Sequence, residues 1–396
     1  MIFTKGKTEC TPSEAGYDKN RLDVLNKHLW GLVEDGTLQC AAYCISRRGK
    51  VFAHGAVGYK TYKKDPKLPV SPTDIQYIAS ATKPFAGVAI MKLVEDGVTR
   101  LDVPVGEILP QFNQPPFNGI NLFHLMTHTS GLHADGNCFP NSACYWDAMD
   151  KGYQAWKNDK SKKKEPFDWI KAALSVGVRM EPDREWAYCS FGITVLGEVI
   201  HKLTGIHSHK YIEDYICKPL GMKDTAFDLT PAMAKRYIIQ RDYTEKYVSD
   251  ILNGKSVSEG EPWAGIPEVS GGLKSTVWDM VRFMNMALYK GTFNGTRILG
   301  RKAAEKMTAI AIEKPDYCWG AGGSMRGHAL GFDHRYNPPA FTFSEGTFMH
   351  EGAGHCSMYA DPEEELAAAW IIPYSQDGWF PKAVWSTGNI IWSGLI

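Results

Sequence analysis

The stretch of sequence that decides the fold is residues 77–97, which read YIASATKPFAGVAIMKLVEDG. Within it, residues 84–94 are apolar at almost every position, which is typical of a helix buried on all sides. The final glycine is a common residue at a helix C-terminus. The stretch also contains Ser80 and Lys83, whose S-x-x-K spacing places both side chains on one face of a helix. It therefore predicts a central buried helix over residues 80–96 that begins with a serine and a lysine.

The S-x-x-K spacing suits nucleophilic chemistry, because a serine nucleophile needs a base and Lys83 lies one turn from Ser80. Burial lowers a lysine pKa, and N–H groups at the helix start could stabilise an oxyanion. The alternative interpretation makes Ser80 a helix N-cap and Lys83 a surface lysine. A second S-x-x-K, Ser161 to Lys164, falls in the lysine-rich segment 160–164. We expect that segment to be a solvated loop, where a protonated lysine cannot act as a base.

Two further segments carry polar groups that could lie in one cleft with Ser80 and Lys83. Tyr188 and Ser190 directly precede an apolar helical run, residues 191–203, so a phenol and a hydroxyl could project from its start. His350-Glu-Gly352 is the only H-x-G or K-x-G in the chain. It ends an aromatic, strand-like run, and small residues there let a backbone N–H approach a substrate closely.

Patterns typical of sheet occur near both ends of the chain, and helical periodicity dominates the middle. The predicted hairpin spans residues 39–59, the predicted helices are 80–96, 121–129, 191–203, 276–289 and 382–392, and the predicted late strands are 349–359 and 366–373. We therefore expect an α/β sheet domain built from residues 1–75 and 265–396 and a mainly helical domain from residues 76–264. The cleft between them is the expected active site.

Composition excludes several classes of partner. The 396 residues include 44 Lys plus Arg and 44 Asp plus Glu, so no net charge draws nucleic acid or an anionic membrane. No apolar run approaches the roughly 18 residues of a membrane span, and the N-terminus lacks the features of a signal peptide. Nine cysteines without a C-x-x-C pair favour reduced thiols. We expect a cytoplasmic protein without nucleic-acid or membrane partners.

Five segments together resemble the serine β-lactamase and penicillin-recognising superfamily, especially its class C β-lactamase, D-aminopeptidase and family VIII carboxylesterase branch. They are the nucleophile helix at residues 77–97, NLFHLMTHTSGL at 121–132, WAYCSFGITVLGEVI at 186–200, EVSGGLKSTVWDMVRFMNMAL at 268–288 and FMHEGAGHCSMYADPEEELAAAW at 348–370. The resemblance implies an α/β (α+β) fold of the β-lactamase and DD-peptidase type. In that fold an antiparallel sheet is flanked by helices and carries an inserted, mostly helical domain.

The resemblance also implies catalytic roles for residues of this sequence. Ser80 would be the acylating nucleophile, and Lys83 would be its base or proton relay. Tyr188 would shuttle protons to and from the leaving group and water. The backbone N–H groups of Ser80 and Ala353 would form the oxyanion hole.

The substrate-binding wall implied by the resemblance contains Ser190, His350, Glu351 and Gly352. Ser190 stands where the family's β-lactamases usually have asparagine, and His350 with Glu351 stand where they usually have lysine and threonine. A lysine there pairs with the carboxylate of a β-lactam, whereas a largely neutral histidine does so less well. We therefore expect weak β-lactam hydrolysis; the His-x-Gly form is familiar among the family's esterases and aminopeptidases.

The function predicted from this resemblance is a serine hydrolase that acts through an acyl-enzyme, most specifically a carboxylesterase on small hydrophobic esters. Aromatic residues in segments 134–186 and 317–348, Trp319 among them, would make the acyl pocket apolar if they line the cleft. The expected partner is a small-molecule ester or amide. The alternatives are a β-lactamase, a D-amino-acid peptidase or amidase, an acyltransferase of the same fold, and a non-catalytic penicillin-recognising binding module.

A metal site is the main rival from another chemistry. His124 and His128 stand at i and i+4, and His133 follows, but no H-E-x-x-H glutamate accompanies them. We expect these histidines to be structural and predict neither a metal nor an organic cofactor. The G-x-S-x-G motif of α/β-hydrolases is absent from the sequence, which argues against that fold.

Overall fold

The computed structural model describes residues 1–136, 138–139, 143–159, 166–255, 265–334, 341–374 and 380–396. The lysine-rich segment 160–164, with the second S-x-x-K, lies outside these residues, so its loop conformation stays a prediction. No helix within the described ranges is long and apolar enough to cross a membrane.

The main element of the fold is a nine-stranded sheet, counted over the described residues, in the order β1-β3-β2-β13-β12-β11-β10-β9-β8. All of its neighbouring strands pair antiparallel, as predicted. The strands are β1 (Phe3–Lys5), β2 (Cys40–Arg47), β3 (Lys50–Gly58), β4 (Gln76–Tyr77), β5 (Lys274–Ser275), β6 (Thr292–Phe293), β7 (Thr296–Arg297), β8 (Ile312–Asp316), β9 (Ser324–His328), β10 (Asp333–His334), β11 (Phe348–Gly352), β12 (Cys356–Asp361) and β13 (Leu366–Ile371).

Eleven of the thirteen α-helices in the described residues lie between β3 and β8. The α-helices are α1 (Lys19–Glu34), α2 (Lys83–Glu95), α3 (Val105–Ile108), α4 (Leu122–Met126), α5 (Tyr145–Asn158), α6 (Trp169–Leu174), α7 (Ser190–Thr204), α8 (Ser208–Ile212), α9 (Pro231–Ala234), α10 (Asp242–Leu252), α11 (Val277–Leu288), α12 (Arg301–Thr308) and α13 (Thr387–Trp392). Short 3-10 turns are Ala79–Thr82, Pro110–Phe112 and Cys318–Gly320, and π-helical segments are Glu213–Cys217 and Pro381–Ser386.

Both faces of the large sheet are covered by helices. Successive residues of a strand point to opposite faces, so β2 divides its side chains between two cores. Tyr43 and Ile45 belong to the core that includes α1 and α13, and Ala42 and Cys44 belong to the core that includes α2 and α11. All eight residues of β2 are therefore buried. The sheet is the middle layer between two layers of helices.

The helix α2 is enclosed by apolar side chains, as the sequence predicts. Ten of its thirteen residues are buried, and Phe85 stacks on Phe283 of α11 with ring centres 3.7 Å apart. The helix begins at Lys83, later than predicted, and Ser80 lies in the 3-10 turn before it. Pro84 has no N–H to donate to the Ser80 carbonyl, so this carbonyl accepts from the Lys83 N–H instead.

The remaining predicted elements are mostly confirmed. β2 and β3 form the predicted hairpin, α7 and α11 lie where helices are predicted, and residues 381–392 are helical. The helix predicted over residues 121–129 is shorter and ends at Met126, because Thr127 leaves helical geometry and His128 has a φ of +58°. The domain boundaries at residues 75 and 265 stay a prediction.

The strand β11 lies against the turn that carries Ser80. A Cβ atom added to Gly352 would be 2.0 Å from the Ile78 carbonyl oxygen, so only glycine permits this approach. The Cys356 thiol donates a hydrogen bond to the same carbonyl at 3.2 Å. Ala79, next to Ser80, has a φ of +47°, a left-handed conformation that is uncommon for a residue with a Cβ. The turn is therefore held in an unusual shape by its contact with the sheet.

Gly352→Ala should lower the free energy of unfolding by about 1–3 kcal/mol, the usual cost of overpacking, because the methyl group collides with the Ile78 carbonyl. Gly31→Ala is the matched control, since an added Cβ at Gly31 of α1 has no atom within 4 Å. That change should be neutral or stabilise the helix by up to about 1 kcal/mol. Urea denaturation followed by circular dichroism measures both. A Gly352→Ala variant as stable as the wild type would contradict the close approach.

Candidate active site

Ser80 and Lys83 lie in contact where the 3-10 turn passes into α2. Lys83 Nζ donates hydrogen bonds to Ser80 Oγ at 3.1 Å and to the Ser270 carbonyl at 2.9 Å. Lys83 is only 1% exposed, so it is not the solvated surface lysine of the alternative interpretation. Ser80 is not a helix cap either, because the caps of the 3-10 turn and of α2 are Ile78 and Thr82. The serine and the lysine are thus free to act on each other.

The surroundings of Lys83 favour a neutral amine. Burial lowers the pKa of Lys83 from its usual value to about 8, and the charge of Asp135 opposes this shift only in part. At pH 7 a minor fraction of the amine, about a tenth, is therefore unprotonated, and this fraction rises through pH 8. An unprotonated amine at hydrogen-bonding distance can accept the proton of the Ser80 hydroxyl.

Tyr188 completes a contiguous group of three side chains. Lys83 Nζ lies 4.7 Å from the centre of the Tyr188 ring. Burial raises the pKa of Tyr188 well above its usual value, although a hydrogen bond with the Ser80 side chain lowers it in part. The phenol is therefore protonated at neutral pH and lies where it can exchange a proton with the serine oxygen.

Tyr188 is held in place by His128. The His128 carbonyl accepts a hydrogen bond from the Ala187 N–H at 2.9 Å, and His128 Nδ1 accepts one from the Cys189 N–H at 3.1 Å. The two bonds bracket Tyr188 in sequence, and its ring centre lies 4.7 Å from that of His128. Burial lowers the pKa of His128 well below its usual value, so the imidazole stays neutral and Nδ1 remains an acceptor. His128 is thus a positioning residue for Tyr188.

A cavity of about 520 Å³ opens over this group. Its walls include residues of the 3-10 turn, of the segment before α7 and of β9, β10 and β11. The lining residues are Ser80, Asp135, Tyr188, Trp319, Arg326, Asp333, His350, Glu351, Gly352, Ala353 and Phe380. The structure thus brings both residues of the predicted oxyanion hole, Ser80 and Ala353, to one cavity wall.

His350 and Glu351 point to different faces of β11. His350 is buried, its Nδ1 lies 2.8 Å from the Glu351 carbonyl oxygen, and burial lowers its pKa to about 3. It is therefore neutral and supplies no cation to the cavity. The Glu351 carboxylate accepts a hydrogen bond from Tyr359, whose ring belongs to the core that includes α1 and α13. The Glu351 side chain is thus engaged on that face, although the residue borders the cavity.

Ser190 is engaged by a carboxylate that the sequence did not point to. Its hydroxyl donates to Asp135 Oδ2 at 2.6 Å and its N–H donates to Oδ1 at 2.8 Å. The Asp135 N–H in turn donates to the Tyr188 carbonyl at 2.8 Å. A single aspartate in a segment of glycine, asparagine and proline has no spacing that marks it as functional. Only the folded chain shows that Asp135 borders the reaction cavity.

Sequence patterns did not reveal the charged cavity residues Arg326 and Asp333, and they marked Trp319 only as one of several aromatic residues. Arg326 donates to Asp333 Oδ1 at 3.2 Å and to Asp316 Oδ2 at 3.3 Å. Its guanidinium lies 4.2 Å from the Trp186 ring centre. Trp319 is 50% exposed and its ring centre lies 5.2 Å from that of Tyr188, so one of the aromatics noted in the sequence lines the cleft. Strands as short as β9 and β10 give too weak a pattern to reveal such pairs in sequence.

The three histidines of the rival metal site have separate structural contacts. His124 Nδ1 accepts a hydrogen bond from the Asn121 N–H at 3.3 Å, His128 packs on Tyr188, and the His133 ring lies against Tyr145. Throughout the part of the chain that the structure describes, no group of three His, Cys, Asp or Glu residues is arranged to hold a metal ion.

Comparison with known proteins finds chains that are similar over most of their length. Protein Rv1367c of Mycobacterium tuberculosis is 25% identical over 380 residues, which cover 89% of this chain and 90% of that protein. A penicillin-binding protein homologue from Caulobacter crescentus superposes with a TM-score of 0.72 at 18% identity over 99% of both chains. A family VIII carboxylesterase superposes with a TM-score of 0.71 at 16% identity, covering 96% of this chain and 99% of that chain.

These superpositions show a shared fold. The sequence model of the family named Beta-lactamase matches residues 25–377, a range that includes the serine, lysine and tyrosine described above. With this match over most of its length, the chain belongs to the Beta-lactamase family, within the serine β-lactamase and penicillin-recognising superfamily.

Proposed function

We propose that this protein is a serine hydrolase that acts through an acyl-enzyme on Ser80, and that its substrates are small esters, which makes it a carboxylesterase. The observation that carries the proposal is the hydrogen bond of 3.1 Å between Lys83 Nζ and Ser80 Oγ, in a buried site that opens to a substrate-sized cavity. A buried lysine with a lowered pKa beside a serine is the arrangement that activates such a nucleophile.

The proposed reaction has two halves. The neutral Lys83 amine takes the Ser80 proton while Oγ attacks the ester carbonyl, and the oxyanion accepts hydrogen bonds from the N–H groups of Ser80 and Ala353. Tyr188 passes a proton to the departing alcohol oxygen, which leaves the acyl group on Ser80. A water molecule then attacks the acyl carbonyl, gives its proton to the Tyr188 and Lys83 pair, and restores the serine hydroxyl as the acid leaves.

Neutral esters suit the charge of the cavity better than β-lactams do. A β-lactam carries a carboxylate, and two side chains of the cavity, Asp135 and Asp333, also carry carboxylates. The cavity guanidinium of Arg326 contacts Asp333, and His350 is neutral because burial lowers its pKa to about 3. The structural likeness to a family VIII carboxylesterase supports the same choice.

Ser80→Ala should lower ester hydrolysis by several orders of magnitude, on the scale seen when a nucleophile is removed, with the fold intact. Covalent labelling by a fluorophosphonate should disappear with it. Ser161→Ala, which changes the other S-x-x-K serine, is the matched control and should keep both activity and labelling. Intact-mass spectrometry measures the labelling. Labelling that persists in Ser80→Ala and disappears in Ser161→Ala would show that Ser161, and not Ser80, is the nucleophile.

Lys83→Arg should be nearly as inactive as Lys83→Ala, because arginine keeps the charge but does not release its proton. Lys92→Arg, on the same helix and outside the cavity, should retain wild-type activity. In the wild type, kcat/KM for an ester should rise with pH through about 8, since the reaction needs the unprotonated Lys83 amine. A pH-independent kcat/KM between pH 6 and 9, or an active Lys83→Arg variant, would show that the lysine acts only through its charge.

p-Nitrophenyl acetate or butyrate should be hydrolysed with a higher kcat/KM than nitrocefin, which is an anionic β-lactam. The reason is the excess of carboxylates at the cavity and the absence of charge on His350. His350→Lys should narrow the difference in kcat/KM between the ester and nitrocefin, because it adds a cation that can pair with the carboxylate of nitrocefin. Both substrates are followed by absorbance, with and without EDTA. A preference for nitrocefin in the wild type, or loss of activity in EDTA, would contradict the carboxylesterase proposal.

His128→Ala should lower kcat for ester hydrolysis by about tenfold or more and change KM little, because Tyr188 loses its ring contact with His128 and the adjacent Cys189 N–H loses its acceptor. His128→Asn should retain more activity than His128→Ala, since asparagine tolerates a positive φ and offers an oxygen that can accept a hydrogen bond from the Cys189 N–H. Thermal unfolding of both variants separates this effect from a loss of stability. Equal kcat values for the two folded variants would show that the His128 side chain does not position Tyr188.

A further inference from the structure

The carboxylate of Asp135 borders the reaction cavity without a cationic partner. It accepts hydrogen bonds from the Ser190 N–H and hydroxyl, both of them neutral groups. Among the described residues, no lysine, arginine or histidine forms an ion pair with it. The Ser190 N–H belongs to the first turn of α7, where the helix dipole stabilises a negative charge. Asp135 is therefore a partly buried carboxylate held by neutral donors at the start of a helix.

The cations near the cavity are occupied elsewhere. The Arg326 guanidinium contacts both Asp333 and Asp316. Lys83 donates to Ser80 and to the Ser270 carbonyl rather than to Asp135. Lys83 thus acts on Asp135 through its charge at longer range, and among the described residues no cation forms an ion pair with the Asp135 carboxylate.

Ser190 offers no hydrogen-bond donor to a ligand. The Ser190 hydroxyl and N–H both donate their hydrogens to Asp135. A ligand at this position therefore meets the remaining lone pairs of the Asp135 carboxylate. A ligand group that packs there must donate. The aromatic rings of Tyr188 and Trp319 lie beside each other at 5.2 Å on the cavity wall, and aromatic faces attract cations.

From this geometry we infer that Asp135 determines specificity by pairing with a protonated amine on the acyl group of the substrate. The inference rests on the proposed function and narrows its substrate class to esters or amides of small amino-bearing acids. The ammonium group supplies the cation that Asp135 lacks and the donor hydrogens that Ser190 does not offer. A neutral acyl group of the same size leaves the carboxylate unpaired when water is displaced, which costs binding free energy.

Two boronic acids of equal size test the inference. Aminomethylboronic acid and ethylboronic acid differ only in that a protonated amine replaces a methyl group, and each can form a boron–oxygen bond with Ser80 Oγ without a leaving group. Both are measured as inhibitors of p-nitrophenyl acetate hydrolysis. The variants are Asp135→Asn, which removes the charge and keeps the shape, and Asp23→Asn, which removes one exposed charge of α1. Because the ammonium also activates boron, the decisive quantity is the change in the ratio of the two inhibition constants between proteins.

The wild type should bind aminomethylboronic acid more tightly than ethylboronic acid. Asp135→Asn should reduce the ratio of the inhibition constant of ethylboronic acid to that of aminomethylboronic acid by about tenfold, and Asp23→Asn should leave this ratio unchanged. In the wild type, raising NaCl from about 0.05 M to about 0.5 M should weaken inhibition by aminomethylboronic acid but not inhibition by ethylboronic acid. This comparison tests the charge pairing without any variant. An unchanged ratio in a folded Asp135→Asn, or equal salt responses of the two inhibitors, overturns the inference but leaves the hydrolase proposal intact. Absence of ester hydrolysis and of inhibition in the wild type overturns both.

Discussion

Removal of the Lys83 amine from water is the constraint on which the rest of the structure depends. A charged amine is costly in an apolar interior, and this cost keeps an unprotonated amine available beside Ser80. The apolar sides of α2, packed between the sheet and the other helices, exclude the water. The hydrophobic core and the chemistry of the site therefore depend on the same helix. The two groups that accept hydrogen bonds from the amine, the Ser80 hydroxyl and the Ser270 carbonyl, are neutral and leave its pKa low.

The same desolvation acts on the two histidines nearest the site and shapes its selectivity. Burial keeps His128 and His350 neutral, so the first serves as a hydrogen-bond acceptor that positions Tyr188 and the second adds no positive charge. With Arg326 held by Asp333, Asp135 is left without an ion pair among the described residues. The proposed selectivity depends on which side chains burial keeps uncharged, and the apolar packing that buries them also stabilises the fold.

Much of the fold and the reactive group could be predicted from the sequence, because both depend on local patterns. The apolar run of α2, the alternation in β2 and β3 and the glycine after α7 each report burial or chain direction over a few residues. Ser80, Lys83 and Tyr188 were found because their motifs adjoin such runs. The first residue of α2 was misplaced, since the effect of Pro84 on the Ser80 carbonyl depends on which turn geometry the preceding residues adopt.

Only the tertiary structure decided which groups surround the reactive serine. Asp135 lies far along the chain from Arg326 and Asp333, and it binds Ser190, which the sequence placed at the substrate wall. The direction of Glu351 depends on its pairing with Tyr359 across two strands. Local sequence sets which side chains a helix or strand can bury, but the charge of a cavity is a sum over all the segments that reach it. That sum exists only after the sheet and the helices have packed together.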